Sequence, residues 1–202
     1  MSESRLEVAK NIHRTDFGTW EDVSARFEDT KIETPMGTYV CYHDGTFSDM
    51  KNRLMWIQAP WGMTFNGKKF KGEPIKLNWD DARQLFGYGG RIGHEVGFLK
   101  PQFEQYGRKE YKRGSCKVEF SGYEDWRLPT APELLNLSFY HHMQNTKLWD
   151  ELFPAISNPY TTFWTANDML SNEAWCFNDN GTATAFGAFK ASEYPILFVR
   201  NL

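Results

Sequence analysis

Residues Gly122 to Leu134, reading Gly-Tyr-Glu-Asp-Trp-Arg-Leu-Pro-Thr-Ala-Pro-Glu-Leu, constrain the fold more than any other stretch, because a charged Asp125-Trp126-Arg127 triplet runs straight into a helix start. Thr130 and Glu133 stand at capping-box spacing. The threonine oxygen can accept from the Glu133 backbone N–H while the carboxylate reaches back to the cap. Pro132 falls in the first turn, where a missing N–H costs nothing. Asp125 and Arg127, if drawn inside around Trp126, need partners, since an unpaired interior charge is far costlier than a paired one. Capping and ion pairing account for every residue type in the block, so it reads as architecture rather than as a reactive centre.

Composition sets the outer limits. At 202 residues with 41% hydrophobic residues, the chain can bury a full core without metal or disulfide support. Aromatic residues make up 16% and predict a core rich in large rings. A net charge of −3 gives no general reason for nucleic-acid binding. No apolar run approaches the roughly 20 residues of a membrane span, so no membrane contact is expected. Cys41, Cys116 and Cys176 are odd in number and lack metal-type spacing, which argues against both a zinc site and a disulfide framework. No basic-then-apolar leader opens the sequence, and together with the unpaired cysteines this leads to an expected cytoplasmic location.

Local signals divide the chain into an extension and a body. Ser4 with Glu7 forms a second capping box, and Leu6, Ala9 and Ile12 recur at helical spacing, which predicts a short helix from Arg5 to His13. Thr15 to Asp29 reads as irregular, with Trp20, Val23 and Phe27 able to pin it to the body. Residues 1–37 are therefore expected to be a helical and irregular extension, and 38–202 the domain proper. Strand-like runs occupy Thr38 to Val40, Thr46 to Phe47 and Leu54 to Ile57, with Asp44-Gly45 as a turn. Asn78 can cap a helix from Trp79 to Phe86 that stops at Gly87, and the helix after Thr130 should run to about Met143. Beyond Pro159, aromatic and threonine-rich strands separated by Asn178-Asp179-Asn180-Gly181 and by Gly187 read as an antiparallel meander. The sum is an α+β layout.

Four blocks, in order, resemble the domain family typified by the C-terminal domain of the Legionella collagen-like protein, a family of largely unknown function. They are Gly45-Thr46-Phe47-Ser48-Asp49 leading to Arg53-Leu54-Met55-Trp56; Asn78-Trp79-Asp80-Asp81-Ala82; Gly122 to Leu134; and Phe153-Pro154 with Phe163-Trp164-Thr165-Ala166, Ala174-Trp175 and Phe198-Val199-Arg200. The resemblance implies a C-type-lectin-like fold, with two main helices packed on twisted antiparallel sheets and long loops. It also implies a cysteine four residues after Ala82 and another after Arg200, where this chain has Phe86 and Asn201. A second departure is an insertion spanning 87–116, and long excursions are where function tends to gather.

Two candidate binding regions follow. In lectin-like folds the ligand surface is commonly built from the loops beside the last strands, which the resemblance places at Trp164, Asn167, Asp168, Glu173, Trp175 and Tyr194. In the insertion, Arg91, Arg108, Lys109 and Arg113 interleave with Phe98, Phe103, Tyr106 and Tyr111, a pattern suited to a phosphorylated or other anionic ligand, a single strand of nucleic acid or an acidic protein surface. The glycines at 87–93 follow a helix rather than a strand, so they form no dinucleotide fingerprint. His141 and His142 project about 100° apart and make a poor chelate. Cys116 has basic neighbours but no proton acceptor, and Cys176 beside Trp175 reads as core. The calcium motifs of true C-type lectins are missing, and Asn-Asp-Asn-Gly is first of all a turn. No catalytic residue, metal ligand or cofactor is expected. The expected function is a non-catalytic binding module recognising a protein partner or an assembly. Two alternatives are kept open: a ligand-sensing or enzymatic protein using the 87–116 insertion as a lid or anion site, and a carbohydrate-binding, adhesin-type domain.

Overall fold

The computed structural model describes residues 29–35, 37–91, 110–144, 148–156, 158, 161–178 and 184–202. The expected helix at Arg5 to His13 and the middle of the insertion, with Arg108 and Lys109, lie outside them. Two sheets dominate. The first is antiparallel with five strands, β1 (Thr30–Thr34), β2 (Gly37–Cys41), β3 (Thr46–Asp49), β4 (Leu54–Ile57) and, completing it from the far end of the chain, β14 (Val199–Asn201). The second is a three-stranded meander of β10 (Thr162–Asp168), β11 (Glu173–Asn178) and β12 (Thr184–Phe189), with β12 outermost. Three two-residue ladders brace the loops: β5 (Thr64–Phe65) with β6 (Phe70–Lys71), β7 (Lys76–Leu77) with β13 (Tyr194–Pro195), and β8 (Gly90–Arg91) with β9 (Glu110–Tyr111). Helices α1 (Trp79–Phe86), α2 (Ala131–Gln144) and α3 (Leu148–Leu152) complete the described elements.

Alternation along the strands sorts side chains into two cores. Met55 and Ile57 of β4 enter one core, and Leu54 and Trp56 the other. The same split places Trp164, Ala174 and Cys176 against Phe163, Trp175 and Phe177 in the second sheet, and Ile196 and Phe198 against Leu197 and Val199 near the C-terminus. A strand apolar on both faces is stable only when both are covered, because successive side chains point to opposite sides. Helix α1 covers the first core with Trp79, Ala82, Leu85 and Phe86; α2 and α3 cover the second with Leu134, Leu137, Leu148 and Leu152. Rings meet edge to face in both, as in Phe86–Phe198 at 5.1 Å and Phe47–Phe153 at 5.2 Å.

Helix α1 obeys its sequence signals. The Asn78 side chain accepts from the Asp81 N–H at 2.9 Å, Asp80 and Asp81 occupy the positive first turn, and the Gly87 N–H closes the helix on the Arg83 carbonyl at 3.0 Å.

The layout itself requires a correction. Two main helices packed on sheets were expected, within an α+β, C-type-lectin-like architecture; the described residues instead form fourteen strands against three helices of 8, 14 and 5 residues. The described residues hold more strand than helix. The missing strands are two to five residues long, too short for alternation to register, and they exist because distant segments pair. Thr30–Thr34 is the clearest example: placed by sequence in the irregular extension, it pairs residue by residue with β2. Gly187, read as a separator between strands, lies inside β12 opposite Trp175.

Candidate functional site

The charged triplet that opens α2 resolves into two separate ion pairs. Arg127 grips Glu133 with both prongs, Nη2 to Oε1 at 2.8 Å and Nη1 to Oε2 at 3.0 Å, and donates again from Nη2 to Asn201 Oδ1 at 3.0 Å. Tyr88 lies 4.6 Å from the guanidinium. Asp125 instead binds Arg200 at 2.6 Å, and that arginine stacks on Tyr123. Glu133 also accepts from the Thr130 N–H at 2.7 Å, completing the capping box. Every charge on Arg127 and Glu133 is engaged by the fold itself, which makes this cluster a clasp between α2, the block before it and the C-terminal strand.

The sequence-predicted binding residues separate into buried and peripheral groups. Trp164 is fully buried, its Nε1 donating to the Leu77 carbonyl at 2.8 Å and its ring 4.8 Å from Tyr194. Trp175 is buried in the second core. Asn167 is also buried and caps α2 from outside the helix, its Oδ1 accepting from the Ala131 N–H at 2.8 Å. Asp168 is paired with Lys190 at 2.7 Å, and the Lys190 ammonium sits 4.6 Å above the Trp79 ring. Glu173 is half-buried at the start of β11, where its backbone closes a tight turn with Met169 and Leu170. These six residues lie on neighbouring elements, but their aromatic faces point inward. A sugar or peptide platform made of Trp164 and Trp175 is not presented to solvent.

At the base of the insertion, Arg91 lies in β8, which pairs with β9, and Arg113 is exposed. Backbone N–H groups of Gly114, Ser115 and Cys116 donate to the carbonyls of Gly87, Gln84 and Leu85, and Arg83 donates to the carbonyls of Tyr88 and Lys112. The insertion is thus anchored on the C-terminal end of α1.

One feature has no signal in the sequence, and a second sharpens the expected surface beside the last strands. A cavity of about 500 Å³ lies between the start of β1, the end of β2 with the turn after it, the residue following β4 and the β5–β6 hairpin, lined by Thr30, Cys41, Tyr42, His43, Gln58 and Lys68. No spacing signal links residues brought together from four separate segments. Burial, reinforced by the Glu151 carboxylate, pushes the Cys41 thiol up to about 11, and burial pushes Cys176 up to about 12. Both are poor nucleophiles at neutral pH. The second feature is a group of exposed apolar side chains around β12: Leu170 is 52% exposed, Phe186 36% and Phe189 61%. The uncharged run Thr-Ala-Phe-Gly-Ala-Phe belongs to the last strands, beside which the resemblance implies a ligand surface. Among the described residues no group of three or more His, Cys, Asp or Glu could hold a metal ion, and no helix is long and apolar enough to cross a membrane.

The family model of the Lcl C-terminal domain matches residues 45–200, and the chain belongs to that family. No curated protein matches it.

Proposed function

We propose that this member of the Lcl C-terminal domain family is a non-catalytic binding module that recognises a protein partner or an assembly through the tip of the β10–β11 hairpin and the outer edge of β12. The observation that carries the reading is the exposure of Leu170 and Phe189 on backbone that is otherwise tightly held. Leu170 and Glu173 exchange backbone bonds at 3.0 and 3.4 Å, and Lys190 ties the adjoining chain to Asp168 and to the Ser171 carbonyl. Large apolar side chains on a rigid support, rimmed by polar residues, are the usual makings of a protein contact, because their burial is favourable and little conformational freedom is lost. The burial of Trp164, Trp175 and Asn167 favours a protein over a sugar, which would need an aromatic face and free amides. The three free thiols fit a reducing compartment, and the reading places the module in the cytoplasm.

The test is site-specific photocrosslinking in the source cells. A photoreactive residue at Leu170 or Phe189 should give a discrete adduct, and one at the exposed Lys69 should not. Equal labelling from all three positions, or none, would sink the proposal.

A further inference from the structure

Resting on that reading, we infer that the partner at this edge is a second copy of the chain, joined by antiparallel pairing of β12 with β12 about a two-fold axis through Gly187. The hydrogen-bonding phase of β12 is set by its inner neighbour. The Lys190 N–H donates to the Asn172 carbonyl at 2.9 Å, and pairs that exchange bonds alternate along an antiparallel ladder. Ala188 with Ala174 and Phe186 with Cys176 therefore bond inward. The main-chain groups of Ala185, Gly187 and Phe189 are left pointing away from the sheet. Consistent with this phase, the Phe189 carbonyl accepts from Ser192 rather than from β11.

Such an edge attracts another strand unless charge, proline or a bulge blunts it. Thr184–Phe189 has neither a charge nor a proline, and it pairs with β11 without a register break. What singles out a second copy is the order of side chains. A two-fold axis normal to the sheet keeps each face continuous, so residues of equal parity meet. With the axis at Gly187, Phe186 of each copy lies opposite Ala188 of the other, and Ala185 opposite Phe189. Each phenylalanine thus meets an alanine, and all five residues stay within the strand. Moving the axis one residue toward the C-terminus brings Phe186 against Lys190, whose ammonium is already committed to Asp168. Large against small across a pair is the arrangement that fills space without strain. At the axis a Cβ on Gly187 would meet Met169 Sδ at 2.5 Å, so the glycine lets that thioether cover the junction. The joined sheet would have six strands and about six new main-chain hydrogen bonds, two of them second bonds to Phe189 carbonyls that already accept from Ser192, in an isologous contact.

The experiment uses the full chain. Sedimentation across a concentration series should show a species of twice the chain mass. Hydrogen exchange should slow by about tenfold or more at the N–H groups of Ala185, Gly187 and Phe189 as the dimer forms. Phe189→Lys and Phe186→Lys should each return the protein to monomer with the exchange of those groups restored; the more exposed Phe189 position keeps the test decisive if the Phe186 variant misfolds. A chain that stays monomeric at all concentrations, or a dimer in which these three N–H groups exchange as in dilute protein, overturns the inference. If the chain is monomeric yet position 189 still crosslinks to a different protein, self-pairing fails and partner binding stands. Loss of both brings down both.

Discussion

Asn201 reaches Arg127 across 74 positions of sequence, its Oδ1 accepting from Nη2 at 3.0 Å on a guanidinium that Glu133 already holds with both oxygens. Side-chain exposure is 10% for Arg127 and 18% for Glu133, so neither charge is well solvated once its partner is gone. Glu133→Ala removes the counter-charge and the acceptor for the Thr130 N–H together. It should destabilise the chain by about 3–5 kcal/mol in urea unfolding. Replacing both members by apolar residues of similar volume should cost much less, because no stranded charge remains.

The two positions where the family resemblance places cysteines carry other forms of attachment here. Phe86 packs edge to face on Trp61 and Phe198, each at 5.1 Å, and its carbonyl accepts from the Leu128 N–H at 2.8 Å. Asn201 supplies the hydrogen bond to Arg127. Phe86→Ala should therefore cost about 3–5 kcal/mol, chiefly through the cavity it leaves. Asn201→Ala should cost about 1–2 kcal/mol, since a charged donor loses one acceptor but keeps Glu133. Chemical denaturation of the two variants measures the difference. Equal losses would mean that the ring cluster is not what holds α1 to the C-terminal segment.

Legibility in the sequence followed the range of the forces involved. The Asn78 cap, the Thr130–Glu133 box and the ends of α1 are local, set within one helical turn, and each was readable. Pairing of β14 with β4, or of β13 with β7, depends on segments more than a hundred residues apart, and runs of two or three residues carry no period of their own. The same limit governed the candidate site. Trp164 and Asn167 are close in sequence, but which way a tryptophan faces is decided by the core it packs into, the first for Trp164 and the second for Trp175. The partner of Asp125 was equally out of reach, since Arg200 lies 75 positions away.

The thiols make stability fall at alkaline pH. In the unfolded chain Cys41 and Cys176 ionise near about 8.5, whereas in the fold they hold their protons up to about 11 and 12. Above the unfolded value the unfolded chain binds fewer protons than the native one, so raising the pH favours unfolding. The contribution is complete below about pH 8 and is lost as pH climbs toward 11. Thermal unfolding from pH 7 to pH 10.5 should show a decline that is shallower in Cys41→Ala and in Cys176→Ala. A decline of unchanged slope in both variants would assign it to other groups.

Trp164 and Phe189 should separate stability from association. Trp164→Phe removes the indole N–H that donates to the Leu77 carbonyl at 2.8 Å and leaves a gap beside Tyr194. It should destabilise by about 1–3 kcal/mol while leaving partner capture intact in whatever protein remains folded. Phe189→Asp alters a side chain that is 61% exposed and should change unfolding by no more than about 0.5 kcal/mol. The same substitution places a carboxylate where apolar burial is required and should reduce association at the β12 edge at least about tenfold. Urea unfolding paired with quantitative crosslinking reads both effects. If Trp164→Phe abolished capture at full folding while Phe189→Asp left it untouched, the recognition surface would lie over Trp164 and not along β12.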